Sequence, residues 1–139
     1  MGHGVKLTEI VEKMDLKNLT PKVELAGREV NVPDVNRPAL QLVGFFDHFD
    51  SNRVQIIGNV EYNYLKTLTE EVKTKVYHEL LEYKLPCVIF SKSLQPDEIF
   101  LDLAEQHDVP VFNTTNRTSA FTAELTRWLN VKLAACISI

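Results

Sequence analysis

Three runs of four residues, Val54-Gln55-Ile56-Ile57, Cys87-Val88-Ile89-Phe90 and Val109-Pro110-Val111-Phe112, are apolar almost without interruption, and helical periodicity follows each of them. A strand that is apolar at successive positions is covered on both faces. Strands joined through helices run parallel, with right-handed crossovers. This repeated grammar predicts an α/β domain of three layers, with helices on both faces of a mostly parallel sheet. Pro110 has no N–H to give to a ladder, so the third strand either lies at an edge or pairs only beyond that residue.

The helices between these runs read as amphipathic. Gly58-Asn59 makes a turn, and Tyr62 to Leu68 is helical. The next helix starts from Thr67 or Thr69 as N-cap, carries Val72, Val76, Tyr77, Leu80 and Leu81 on one face, and stops before Pro86. Pro96 opens a helix with Ile99, Phe100, Leu103 and Ala104 inward, closed by His107-Asp108. In the last helix Phe121, Leu125, Trp128 and Leu129 fall at i, i+4, i+7 and i+8, with Thr118 or Ser119 as a natural N-cap. Before the three units, Ile10, Val11 and Met14 share a helical face after Thr8 as N-cap. Residues 16–35, punctuated by Pro21, Gly27 and Pro33, read as irregular short strands. Arg37 to Gly44 reads as one or two helical turns, with Pro38 at the first position and Gly44 just past the end.

At 139 residues there is room for one domain, and 45% hydrophobic with 24% charged residues excludes extended disorder. Residues 1–4 read as a disordered or added leader and 5–133 as the domain. The apolar run Leu133 to Ile139 reads as strand-like, and 134–139 as the start of a strand or linker leading onward. The 15 basic and 19 acidic residues give a net charge of −4 with the basic ones scattered, which argues against a nucleic-acid partner. No run approaches 18 apolar residues, so no membrane-spanning segment is expected. Cys87 and Cys136 lie in apolar runs with no neighbouring ligand residue and read as free thiols of a cytoplasmic protein.

The five glycines, at positions 2, 4, 27, 44 and 58, cannot compose a phosphate loop or a dinucleotide fingerprint. His3, His48, His78 and His107 show no metal-ligand spacing, and no nucleophile elbow is present. No catalytic residue, metal or cofactor is therefore expected in this chain. Asp47-His48-Phe49-Asp50 reads as a polar turn. Candidate ligand contacts come from topology instead, because open α/β sheets collect ligands beyond the carboxyl ends of their strands. The loops there are Gly58-Asn59, Ser91-Lys92-Ser93 and Asn113 to Ser119, the last being the richest in hydroxyls and amides. With the strands side by side, Lys92 and Arg117 would converge on one anion, with Thr114 and Thr115 as donors and Arg37 as a further candidate. The alternatives are a solvated, capped loop there and a salt bridge from Arg37 to Asp34.

The stretch Asp34-Val35-Asn36-Arg37-Pro38-Ala39-Leu40-Gln41-Leu42-Val43-Gly44-Phe45-Phe46-Asp47, then Ser51 to Gly58, then Leu85-Pro86-Cys87-Val88-Ile89-Phe90, resembles the N-terminal domain of bacterial HPr kinase/phosphorylase. The order and spacing agree from about Val5 to Ile139, with Ala39 where many members have glycine and Phe46 where tyrosine is common. The resemblance implies a parent enzyme that uses ATP and Mg²⁺ to phosphorylate a serine of HPr, the phosphocarrier of the sugar phosphotransferase system. It also implies removal of that phosphate by phosphorolysis, which serves carbon catabolite repression. In that family the phosphate loop and acid/base aspartate belong to the C-terminal catalytic domain, so no catalytic residue carries over to this chain. The implied role is a regulatory or assembly domain whose partners are its own C-terminal domain and, through the parent enzyme, HPr. A small-ligand sensor for a phosphometabolite or nucleotide is the alternative. The family's N-terminal domain is similar in fold to those of Mur ligases, and its hexamers form largely through catalytic domains, so a monomer or weak dimer is expected of this piece.

Overall fold

The computed structural model describes residues 4–137. In chain order the elements are β1 (Val5–Lys6), α1 (Leu7–Lys13), β2 (Lys17–Asn18), β3 (Glu29–Val30), β4 (Val35–Asn36), α2 (Ala39–Leu42) and β5 (Val54–Ile57). There follow α3 (Asn59–Lys66), α4 (Glu70–Leu81), β6 (Val88–Phe90), α5 (Glu98–Gln106), β7 (Val111–Asn113) and α6 (Thr118–Ile137). A five-stranded sheet has the order β2-β7-β6-β5-β4. All its pairings are parallel except β2 with β7, and β1 pairs antiparallel with β3 as a separate ribbon.

The three apolar runs form β5, β6 and β7, and the period of two along a strand divides their side chains between two cores. Val54, Ile56, Cys87, Ile89 and Phe112 pack under Ile10 of α1 and Phe121, Leu125 and Leu129 of α6. Ile57, Val88, Phe90 and Val111 point the other way, against Leu42, Leu65, Tyr77, Leu80 and Phe100 from α2 to α5. The result is the expected α/β/α sandwich.

Local chemistry sets the helix ends. Thr69 caps α4 by accepting the Val72 N–H at 3.3 Å, and Asp97 caps α5 by accepting the Phe100 N–H at 2.9 Å. Gly44, at φ +96°, ends α2: its N–H reaches Gln41 O and the Phe45 N–H reaches Leu40 O. Those two bonds form a Schellman closure, for which a left-handed glycine is the low-strain choice.

Some sequence expectations about the helices change: α3 starts at Asn59 rather than Tyr62, Asp97 rather than Pro96 opens α5, and Thr118 and Ser119 lie inside α6 rather than capping it. Thr8 does not cap α1, which starts at Leu7 directly from β1. The ribbon β1–β3 places Arg28 O to accept the Leu7 N–H at 3.0 Å, which satisfies the first N–H of the helix without a side-chain cap. The strand-like reading of Leu133 onward gives way to helix, because α6 continues through Ile137. Leu133 extends the stripe of Phe121, Leu125 and Leu129 onto the same core. Ser138 and Ile139 lie outside the described residues, as do residues 1–3 of the expected leader. Of the two readings offered for Pro110 the second holds: β7 starts one residue later and lies between β6 and β2 rather than at an edge. The Pro110 carbonyl accepts the Val88 N–H at 3.0 Å, and buried Thr20 takes the Val111 N–H at 2.9 Å, so the ladder is completed around the proline.

Cys87 is fully buried and free, and burial pushes its thiol up to about 12. The thiolate is the reactive form. Iodoacetamide at about pH 8 is therefore expected to leave Cys87 unmodified in the folded protein and to label it once urea unfolds the chain. Peptide mass mapping checks this, and labelling without urea would show that the central sheet opens. The Cys136 side chain lies outside the described residues. Among those residues no helix is long and apolar enough to cross a membrane.

Candidate functional site

The parallel register brings Ile57, Phe90 and Asn113 level at the carboxyl ends of β5, β6 and β7. The next residues, Gly58, Ser91 and Thr114, therefore leave the sheet side by side, in the position where open α/β sheets carry ligands. Thr118, the first residue of α6, places its hydroxyl within hydrogen-bond reach of Ser91 Oγ. The Ser91 N–H donates to Ile57 O at 3.0 Å, which ties this loop back to β5.

Arg37 follows edge strand β4. Asn36 beside it donates through Nδ2 to Gln41 Oε1 at 3.1 Å and to Gln55 Oε1 at 2.7 Å, which fixes the chain before the arginine. The guanidinium then reaches Glu61 Oε1 at 2.7 Å, and the same oxygen accepts the Gly58 N–H at 2.8 Å. Glu61 stands three residues after Gly58 and closes the start of α3 in the manner of a capping-box carboxylate. Its side chain is only 2% exposed, against 38% for Arg37. One buried carboxylate thus holds an arginine at the surface end of the crevice.

Gly58 is the point of closest approach. A Cβ there would sit 2.7 Å from both the Arg37 guanidinium and Thr118 Oγ1. The arginine end can swing away, but Thr118 is held by Ser91 and by the start of α6. Gly58→Ala is expected to cost about 1–3 kcal/mol, as overpacking does. Urea unfolding measures this, and an unchanged midpoint would mean that Thr118 yields freely.

Beyond Arg37 an open groove of about 730 Å³ runs along α6, lined by Ser119, Thr122, Thr126, Arg127 and Asn130 among others. Arg127 and a row of hydroxyls, beside Ala123, Val131 and the Glu61-paired Arg37, can contact an anionic group. Among the described residues no group of three His, Cys, Asp or Glu side chains is placed to hold a metal ion.

The sequence candidates divide. Arg37 belongs to this cluster, and its partner is Glu61 rather than Asp34. Lys92 and Ser93 take left-handed φ values of +56° and +57°. Their N–H groups donate to Asn116 O at 2.8 Å and Thr114 O at 2.7 Å, so the two expected loops do meet, through backbone. Thr114 is buried, and its hydroxyl accepts the Asn116 N–H at 3.2 Å, which makes it part of its own turn. Lys92, Thr115 and Arg117 are exposed. Lys92 and Arg117 form no ion pair among the described residues. Sequence reasoning placed the loops of Gly58, Ser91 and Thr118 at this rim without singling out those residues, and it missed Glu61. The legible signal was the glycine in a strand-to-helix turn with a glutamate three residues on.

A family profile described as the HPr Serine kinase N terminus matches residues 5–129. An HPr kinase/phosphorylase from Lachnoclostridium phytofermentans is 47% identical over 137 residues, which make up 99% of this chain and 44% of that protein. The HPr kinase/phosphorylase of Caldicellulosiruptor bescii is 37% identical over 130 residues, covering 94% of this chain and 42% of that protein. This chain thus spans less than half the length of these curated relatives. Among solved structures, the fold is similar to the CBS and DRTGG domains of the regulatory region of Clostridium perfringens pyrophosphatase, complexed with its activator diadenosine tetraphosphate. The TM-score is 0.57 at 16% identity, covering 91% of this chain and 48% of that one. At that identity the likeness concerns the fold alone.

Proposed function

The chain belongs to the HPr serine kinase N-terminal family, and from that premise we propose that it is the non-catalytic, regulatory and assembly domain of a bifunctional HPr kinase/phosphorylase. The carrying observation is that the N-terminal family profile spans residues 5–129, while the chain covers 44% of the length of a 47% identical relative. The glycine placement supports it, since no phosphate loop can be composed from the five glycines present. In this reading ATP and Mg²⁺ are used by a C-terminal catalytic domain, which is this domain's direct partner. HPr is met through the parent enzyme, in the cytoplasm, where its phosphorylation controls the sugar phosphotransferase system and carbon catabolite repression. The domain itself is a monomer or weak dimer.

Two measurements test this. The chain incubated with HPr, Mg²⁺ and ATP is expected to form no phosphoserine, and turnover would overturn the reading. Removing the matched segment from the Lachnoclostridium relative is expected to leave phosphoryl transfer intact while changing either the size of the assembly or the balance of kinase to phosphorolysis. A truncated enzyme unchanged in both respects would remove the regulatory role.

The exposed Arg37 and the carboxylate-free groove along α6 favour a second reading, a sensor for a phosphometabolite or nucleotide. Lys92, Thr115 and Arg117 would then add contacts from the adjoining loops, over the turn built on Thr114. Calorimetry against phosphate, sugar phosphates and uridine nucleotides is expected to find binding that Arg37→Ala abolishes. Affinity left intact by Arg117→Ala would exclude the loop contacts.

A further inference from the structure

A second cavity lies on the opposite side of the sheet from α6, where α3, α4 and α5 converge over the end of β6, and it is separate from the crevice at Arg37. It measures about 240 Å³. Its floor is apolar: Leu65, Phe90 and Phe100 are all buried, and the rings of Phe90 and Phe100 meet edge to face at 5.3 Å. Tyr62 stands edge-on to Phe90 at 6.4 Å and forms one wall. Lys66 and Lys73 line the same cavity.

The polar groups around this floor are not equally free. Asp97 is engaged three ways: Oδ1 caps α5, while Oδ2 accepts the Tyr77 hydroxyl at 2.8 Å and faces Lys73 Nζ at 3.3 Å. The Tyr62 hydroxyl donates to Gln95 O at 2.7 Å. Burial and the Asp97 carboxylate push the Tyr77 phenol above its ordinary range, so it stays a neutral donor to Asp97. Lys66 is exposed, its Nζ lies 4.8 Å from the centre of the Tyr62 ring, and among the described residues it has no carboxylate partner. Lys73 is 18% exposed at its side chain and shares its carboxylate with a helix cap and a phenol. Two ammonium groups thus line an apolar, aromatic cavity that a single carboxylate, Asp97, also lines, which leaves one positive charge in excess in the lining.

We propose that this cavity binds a small organic anion with a planar apolar body, the body lying on Leu65, Phe90 and Phe100 and the anionic head between Lys66 and Lys73. Apolar lining with a few convergent polar groups is the general character of ligand sites. The volume decides the size of the occupant. Drug-sized ligands occupy roughly 300–1,000 Å³, so this site takes a single ring with one charged group and excludes a dinucleotide. A carboxylate and a phosphate share the required chemistry, and the experiment separates them.

The test is titration of the isotope-labelled chain, followed by amide NMR, with phenyl phosphate, benzoate, benzyl alcohol and benzylamine. At least one of the two anions is expected to shift the amides of Leu65, Lys73, Gln95 and Phe100 saturably, and the stronger one identifies the head group. Benzyl alcohol is expected to bind more weakly and benzylamine not at all. The Lys66→Gln, Lys73→Gln double variant is expected to lose at least about fivefold in anion affinity. Should that variant not fold, the wild-type chain supplies the same information: raising salt from about 0.05 to about 0.5 M is expected to weaken the anion and leave benzyl alcohol unchanged, because added salt screens charge. The proposal is overturned by the absence of saturable shifts with either anion, by benzylamine binding as well as the anions, by salt-independent anion binding, or by shifts centred on Arg37 and Ser119 instead.

Discussion

Phe112→Ala is expected to remove about 3–5 kcal/mol of folding stability, the largest loss among the substitutions considered. Phe112 has no exposed surface and lies at the middle of β7, paired with Ile89 on one side and Asn18 on the other. Its ring packs in the core that holds Phe121, Leu125 and Leu129 of α6 against the sheet. Truncation leaves a cavity walled by a strand and a helix that are fixed by hydrogen bonds elsewhere, so little collapse is available. Domains of this kind have roughly 5–15 kcal/mol in total, and the variant should unfold at a much lower urea concentration. Phe45→Ala serves as the control: Phe45 is 48% exposed, and its replacement should stay within about 0.5 kcal/mol. A Phe112→Ala loss below about 1 kcal/mol would show that the core rearranges to fill the space.

The second large effect is expected at the crevice. Arg37→Ala removes the guanidinium that faces Glu61 and leaves a carboxylate 2% exposed, with the Gly58 N–H as its remaining partner. Breaking a fully buried ion pair by deleting one member costs about 3–5 kcal/mol. Arg37 is 38% exposed, so water enters in its place and the expected loss is about 2 kcal/mol. A double-mutant cycle isolates the pair. In a Glu61→Gln background the same Arg37→Ala change should cost much less, giving a coupling of about 1 kcal/mol or more. Arg117→Ala, at an exposed position with no ion pair, should stay within about 0.5 kcal/mol. Zero coupling between Arg37 and Glu61 would reduce the cluster to an ordinary surface contact.

The two predictions differ in how far the sequence leads to them. Phe112 is legible because Val111 and Phe112 belong to one of the three apolar runs, and a strand covered on both faces must bury such a ring. Arg37 is legible as a candidate, but its partner is not. A glutamate at the third position of a helix usually faces water, and nothing local marks Glu61 as buried. Its burial follows from β4 carrying Arg37 beside β5, a pairing of residues 35–36 with 54–55 across a long connection. The contact of Ser91 with Thr118 is equally silent in sequence, since they are 27 residues apart and meet because β6 ends and α6 begins at the same rim. The loops at Lys92 and Thr114 were readable as neighbours. That their contact runs through backbone groups, with the Thr114 hydroxyl turned inward, depends on two successive left-handed residues that no local pattern announces.

The same division holds for the fold. Hydrophobic period and helix punctuation are local properties, and they determined the element types of β5 to β7 and α4 to α6, the parallel direction of those strands and the three-layer class. The tertiary structure decided where the sheet ends and what lies at its rim. Two-residue strands such as β2 carry too little apolar pattern to be seen, yet β2 covers β7 and moves Pro110 away from the edge. Leu133 onward is apolar enough for a strand or a helix, and packing beside Leu129 selected the helix. Burial of Glu61 and the pairing of Ser91 with Thr118 are set in the same way, because the desolvation of a polar group depends on segments distant in the chain.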